Sequence, residues 1–285
     1  MTVILRPGTL EDAKECGRIA YQAFKSIAEQ HNFPPDFPSV EVATGIVTML
    51  LSHPGFYSVV AELDGKIVGS NFLDERSTIA GIGPVSVDPP AMNRTSGRQL
   101  MQAVMERATE RRSPGMRLLQ IAYHYRSLAL YTKLGFDTRE TISAMQGNPL
   151  TLKIPGSEVR PAREADLPTC NQLCFRVHGH DRGGELLDAI RQGTANVVER
   201  LGRITGYSTG IGWFSHAVGE TNDDVKALIG AAPAFLGPGF LVPSRNGELF
   251  RWCLSHGLQI VSQATLMTIG LYNEPTGAYL PSILY

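Results

Sequence analysis

The stretch ILRPGTLEDAKECGRIAYQAF, Ile4–Phe24, decides how the rest of the chain is read, because the chain repeats it in the middle as EVRPAREADLPTCNQLCFRVH, Glu158–His178. With Arg6-Pro7 set on Arg160-Pro161, Cys16 falls on Cys170 without a gap, Ile19 on Leu173 and Tyr21 on Phe175. Each copy reads as a short strand, a polar turn carrying acids, and an amphipathic helix. Thr9 and Asp12 form a capping pair at the first helix start.

A second match follows in the same order. AELDGKIVGS, Ala61–Ser70, resembles VERLGRITGY, Val198–Tyr207, each with a strand, a turn at Gly65 or Gly202, and a strand ending in Gly69 or Gly206. That pattern is a hairpin signal. Two matches in one order predict two copies of one α+β fold, residues 1–147 and 158–285. The turn-rich segment 148–157 joins them. Copy one reads strand, helix, helix, hairpin, strand, helix, strand, helix, strand. Gly83-Pro84 interrupts its central strand, because proline cannot donate to a ladder. GRQLMQAVMERATERR reads as a helix with Leu100, Met101, Val104, Met105 and Ala108 on one face.

The 285 residues are 43% hydrophobic and 19% charged, which suits packed cores and not disorder. A formal charge of −1 argues against a bulk electrostatic grip on nucleic acid or an anionic membrane. No window is long and apolar enough for a membrane span, and the start carries no secretion signal. The four cysteines form no disulfide framework for a chain this long, so a reducing cytoplasm is expected.

The chemistry is concentrated in two segments. Leu130–Phe136 reads LYTKLGF, and one strand and one helix earlier stands MNRTSGR, Met92–Arg98. Together they resemble the GNAT superfamily of N-acetyltransferases, whose acyl-CoA loop follows Gln/Arg-x-x-Gly-x-Gly/Ala. Here Met92 replaces the Gln or Arg, and Thr95 replaces the first glycine. The resemblance covers most of residues 1–147 and is weaker beyond. It implies two tandem GNAT-like domains, the second degenerate, each a mixed, largely antiparallel sheet flanked by helices. It also implies acetyl-CoA as co-substrate, held by the loop Asn93, Arg94, Thr95, Ser96, Gly97 and Arg98 and by the splayed strand Val85, Ser86 and Val87. His124, Ser127 and Tyr131 complete the cofactor contacts.

The physics of such a loop rests on backbone N–H groups and the helix dipole, which survive most side-chain changes. By the same resemblance Tyr131 is the acid: a phenol of pKa ~10 donates to a thiolate of pKa ~8.5 when held in place. Asp74 and Glu75 are the candidate carboxylates for deprotonating the amine. The expected reaction moves an acetyl group to a primary amine of a small molecule or peptide by direct attack on the thioester. No metal, nucleic acid or membrane is involved, and a homodimer is left open. A non-catalytic acyl-CoA-binding or regulatory module is the alternative that the altered loop admits. A Rossmann enzyme is excluded by the lack of Gly-x-Gly-x-x-Gly after the first strand.

In the second half, Cys170, Cys174 and His178 stand at helical spacing. Because Cys16 occupies the equivalent place without partners, they read as a core stripe and not a metal site. The segment HGHDRGGE, His178–Glu185, reads as a solvated turn. Arg245-Asn246-Gly247 offers a short basic turn after a strand, but no second LYTKLGF follows it.

Overall fold

Arg6 and Arg160 do the same work in the two copies. Arg6 gives Nη1 and Nη2 to the Asp12 carboxylate at 2.7 and 2.8 Å and Nε to Glu62 at 2.8 Å. Arg160 gives the same groups to Asp166 at 2.8 and 3.0 Å and to Glu199 at 2.8 Å. Glu62 and Glu199 hold matching places in the second repeated segment, so the internal repeat carries a duplicated ionic clamp. The Arg6 guanidinium holds Asp12 down to about 2. The hairpin turns repeat as well. Asp64 and Gly65 have φ of 53° and 74°, and Leu201 and Gly202 have 52° and 75°. Two successive positive φ values make the turn that matches strand twist.

The computed structural model describes residues 3–92 and 96–285. Cα packing divides the chain into two units. The first comprises Met1–Glu75, Ile79–Met116 and Tyr123–Leu134; the second comprises Arg76–Thr78, Arg117–Ala122 and Gly135–Tyr285.

The first unit contains β1 (Val3–Pro7), α1 (Ala13–Gln30), α2 (Val40–Ser52), β2 (Phe56–Leu63), β3 (Lys66–Asp74), β4 (Ala80–Ile82), β5 (Ser86–Val87), α3 (Ser96–Glu110) and α4 (Tyr125–Lys133). The strands β1, β2, β3 and β4 pair antiparallel in that order, and β5 pairs with β3. The strand interruption expected at Gly83-Pro84 falls between β4 and β5. Cys16, Ala20, Ala43, Val47, Leu50, Val60 and Phe72 form a core between α1, α2 and the sheet. Leu100, Met101, Val104 and Ala108 bury the inner face of α3. Each larger side chain among them contributes about 1.5–3 kcal/mol of burial. Buried Asn71 then fixes the start of that helix to β3, donating Nδ2 to the Leu100 carbonyl at 3.2 Å.

The second unit contains most of β6 (Gly115–Ile121), then β7 (Asp137–Gln146), β8 (Glu158–Pro161), α5 (Leu167–His178), α6 (Gly183–Gln192), β9 (Asn196–Arg200) and β10 (Arg203–Ser208). It continues through β11 (Ala217–Gly219), α7 (Asn222–Ala231), β12 (Phe240–Pro243), α8 (Gly247–Ser255), β13 (Gln259–Gly270) and β14 (Ala278–Leu280). One run of strands is ordered β6-β13-β7-β12, and a second sheet is ordered β14-β11-β10-β9-β8. The strand β7, placed by sequence at the end of copy one, lies between β13 and β12 because both offer it long antiparallel registers. Cys170, Leu173, Cys174 and Val177 form a buried stripe on α5. The expected solvated turn at His178–Glu185 is corrected: His178, His180, Arg182 and Glu185 are all buried, because they meet Tyr285, Arg117, Ser282 and His216 respectively, all far away in sequence.

Candidate functional site

Three elements of the first unit open onto one cavity of about 340 Å³. Each exposes polar backbone or side-chain groups for a specific reason. The strand β5 is the first. Its ladder to β3 sets Ser70 opposite Ser86 and Gly69 opposite Val87, and the Asp88 N–H donates to the Val68 carbonyl at 2.8 Å. In an antiparallel ladder alternate residues turn their N–H groups toward the neighbour. The N–H and C=O of Val87 therefore point away from β3. Among the described residues β3 is the only strand that β5 pairs with. The Val85 and Val87 side chains line the cavity, whereas Ser86 faces the core with its Oγ 3.2 Å from Ser70 Oγ.

The second element is the first turn of α3. Helix geometry leaves the N–H groups of Ser96, Gly97 and Arg98 without intrahelical acceptors, at the positive end of the helix dipole. All three residues line the cavity. The Ser96 hydroxyl is buried and has no hydrogen-bond partner among the described residues. Leaving a hydroxyl so costs about 1–3 kcal/mol, which an anionic oxygen placed there would recover. A Cβ on Gly97 would stand 3.7 Å from Val87 Cγ2 and 3.9 Å from Leu130 Cδ2, within the wall of the cavity. These features fit a diphosphate. Asn93, Arg94 and Thr95, expected to share in holding it, lie outside the described residues.

The third element is α4. The His124 carbonyl accepts from the Ser127 hydroxyl at 2.8 Å and from its N–H at 3.1 Å, which starts the helix so that Ser127, Leu130 and Tyr131 turn toward the cavity. Burial pushes the Tyr131 phenol up to about 12, so it keeps its proton at neutral pH. Burial, with Arg126 and His31 adding, holds His124 down to about 4, so its imidazole is neutral there. Among the described residues Arg98 and Arg126 line the cavity and no carboxylate does, which favours a negatively charged ligand.

The expected carboxylates lie elsewhere. Neither Asp74 nor Glu75 lines the cavity. Asp74 is buried at the end of β3. Glu75 is clamped by Arg107 Nε at 2.8 Å and Arg111 Nη1 at 2.9 Å. Sequence reading missed the wall contributed by α1, where Ala23, Phe24 and Ile27 face the cavity. Their i, i+1, i+4 spacing along α1 was the available signal.

The corresponding start in copy two carries its own N-cap. Asn246 Oδ1 accepts the Leu249 N–H at 3.3 Å and so caps the first turn of α8 with the chain's own side chain.

A splayed strand edge and the first turn of a helix thus face one cavity in a mixed α/β unit. Residues 20–136 match the model of the acetyltransferase (GNAT) family, and the mixed α/β fold of the chain is that of GNAT acetyltransferases, some of them tandem. A Pyrococcus horikoshii structure described as an acetyltransferase is 18% identical, covers 94% of this chain and 89% of its own, and superposes with a TM-score of 0.72. A GCN5-related N-acetyltransferase from Sphaerobacter thermophilus is 15% identical over 95% of this chain and 96% of its own, with a TM-score of 0.63. A tandem GNAT protein from the clavulanic acid biosynthesis pathway is 12% identical over 94% and 98%, with a TM-score of 0.56. At these identities the likeness is one of fold. No curated protein matches the chain in sequence. Among the described residues no helix is long and apolar enough to cross a membrane, and no group of three or more His, Cys, Asp or Glu is placed to hold a metal.

Proposed function

We propose that the chain transfers an acetyl group from acetyl-CoA to a primary amine of a small molecule or peptide, with the active site in copy one, residues 1–147. The observation that carries this reading is the shared cavity. The β5 edge, the first turn of α3 and the Tyr131 face of α4 all open onto it. First-turn amides of α3 and the Ser96 hydroxyl hold the diphosphate, with Arg98 offsetting its charge. The outward N–H of Val87 donates to the thioester carbonyl oxygen and stabilises the charge that develops there. The amine nitrogen bonds to the carbonyl carbon, the C–S bond breaks, and Tyr131 gives its Oη proton to the leaving sulfur. The nitrogen releases one proton, which restores Tyr131 through solvent.

The four cysteines, all buried and unpaired, support a reducing cytoplasm. Copy two serves as a degenerate partner that binds no acyl-CoA, consistent with its Asn246 cap. Calorimetry with acetyl-CoA, followed by amine-dependent release of free CoA thiol across an amine panel, tests the reading. A non-catalytic acyl-CoA-binding module is favoured by one fact, that neither Asp74 nor Glu75 reaches the cavity. It predicts binding without thiol release for every amine.

A further inference from the structure

The second unit buries an ionic network that this reaction does not use. Arg182 gives Nε and Nη2 to the two oxygens of Glu185 at 2.9 and 2.8 Å, and Glu185 also meets His216 Nδ1 at 3.1 Å. Glu140 is held by Arg245 Nε at 2.8 Å and by the Tyr279 hydroxyl. Each of these carboxylates has its cation.

Arg117, on β6, differs. It is 0% exposed, and its guanidinium lies 3.9 Å over the Tyr285 ring. Nη1 contacts His180 Nε2 at 3.2 Å, while Nε and Nη2 meet no acceptor among the described residues. No carboxylate among the described residues forms an ion pair with it, and burial holds its pKa below the ordinary arginine value. The unmet donors form the same edge that Arg182 turns to Glu185 and Arg18 turns to Glu15. That edge matches a planar carboxylate with two parallel hydrogen bonds. His178, also buried, meets the Tyr285 ring edge-on, with Nδ1 3.2 Å from Tyr285 Oη and Nε2 unmet.

We propose that Arg117 and His178 form a buried anion site in the second unit, which takes the carboxylate of a small molecule on the Nε/Nη2 edge of Arg117. When the Tyr285 hydroxyl donates to His178 Nδ1, the imidazole carries its proton on Nε2 and supplies a further donor. The Tyr285 ring covers the guanidinium face, so the Nε/Nη2 edge is what is left for a ligand. The site uses none of the residues of the acyl-CoA cavity.

The test is calorimetry on the full chain with acetate and with succinate, at constant ionic strength in chloride and without acyl-CoA. Failure therefore leaves the acetyltransferase reading intact. Saturable binding of a carboxylate is expected, weakened at least about tenfold in Arg117→Met and in Arg117→Lys, which keeps the charge but not the fork. Arg117→Met removes an unpaired buried charge, so its thermal midpoint is expected to hold or rise. No saturable binding at millimolar probe, a preference for inorganic phosphate, or a marked fall in midpoint in Arg117→Met would each overturn the proposal.

Discussion

Gly97 is the position at which the helix-start seat is most directly tested. A Cβ there meets Val87 Cγ2 at 3.7 Å and Leu130 Cδ2 at 3.9 Å, which is ordinary van der Waals contact. The folded protein therefore accepts a side chain, and replacing a helical glycine stabilises by up to about 1 kcal/mol. The ligand does not accept it. Val87, Leu130 and Gly97 all line the cavity, so Gly97→Leu grows into the space where a diphosphate approaches the first-turn amides. Losing one charge-assisted hydrogen bond costs about 1.5–3 kcal/mol, or roughly 10- to 150-fold in affinity. Gly97→Ala is expected to fall between parent and Gly97→Leu. Calorimetry with acetyl-CoA reads the affinity, and thermal unfolding in parallel confirms that both variants are folded. A folded Gly97→Leu protein that binds acetyl-CoA as tightly as the parent would refute the reasoning, since no seat on those amides survives such a side chain.

Tyr131→Phe is expected to lower kcat about 10²–10⁴-fold with little change in acetyl-CoA affinity, measured by thiol release and calorimetry. With its phenol pushed up to about 12, Tyr131 stays protonated to pH 10 and beyond, so a basic limb in the rate profile below that pH would argue against it as the acid. Glu75→Gln is expected to lower stability by about 1 kcal/mol, because Arg107 and Arg111 lose their shared carboxylate while both remain partly solvated. An equally large fall in kcat at full stability would instead make Glu75 catalytic. Asp12 is held at about 2 from an ordinary 3.8, so its contribution is complete above 3.8 and is lost as pH falls through 2. Arg6→Met is expected to cost ~1–2 kcal/mol at neutral pH, discounted for the exposed third of Arg6. It should also flatten the decline in stability between those two pH values, as read by denaturant melts.

The repeat was legible because its signals are local. Arg-Pro, the acid that caps the following turn, the buried Cys16 and Cys170, and the hairpin glycines each declare themselves within one element. The start of α3 and the LYTKLGF helix were legible for the same reason. What escaped was decided by distant pairing. Nothing in the sequence Gln259–Gly270 says that it lies between β6 and β7, since strand order is set by partners and not by propensity. The strand carrying Arg117 reads as an apolar run with one cation, and HGHDRGGE reads as surface. Only the meeting of His180 with Arg117, 63 positions apart, puts both inside. Glu75 had the right chemistry for a base, but its fate was fixed by Arg107 and Arg111 on the next helix face.

Asn246 gives the duplication a direction. In copy two, one short amide side chain sits where an external guest could otherwise bond, accepting the Leu249 N–H at the helix start. If copy two holds no ligand, as proposed, a fold copied whole keeps its packing while an N-cap of its own occupies one of the first-turn amides. Asn246→Gly would free the Leu249 N–H, which makes α8 the place to look for a second helix-start seat.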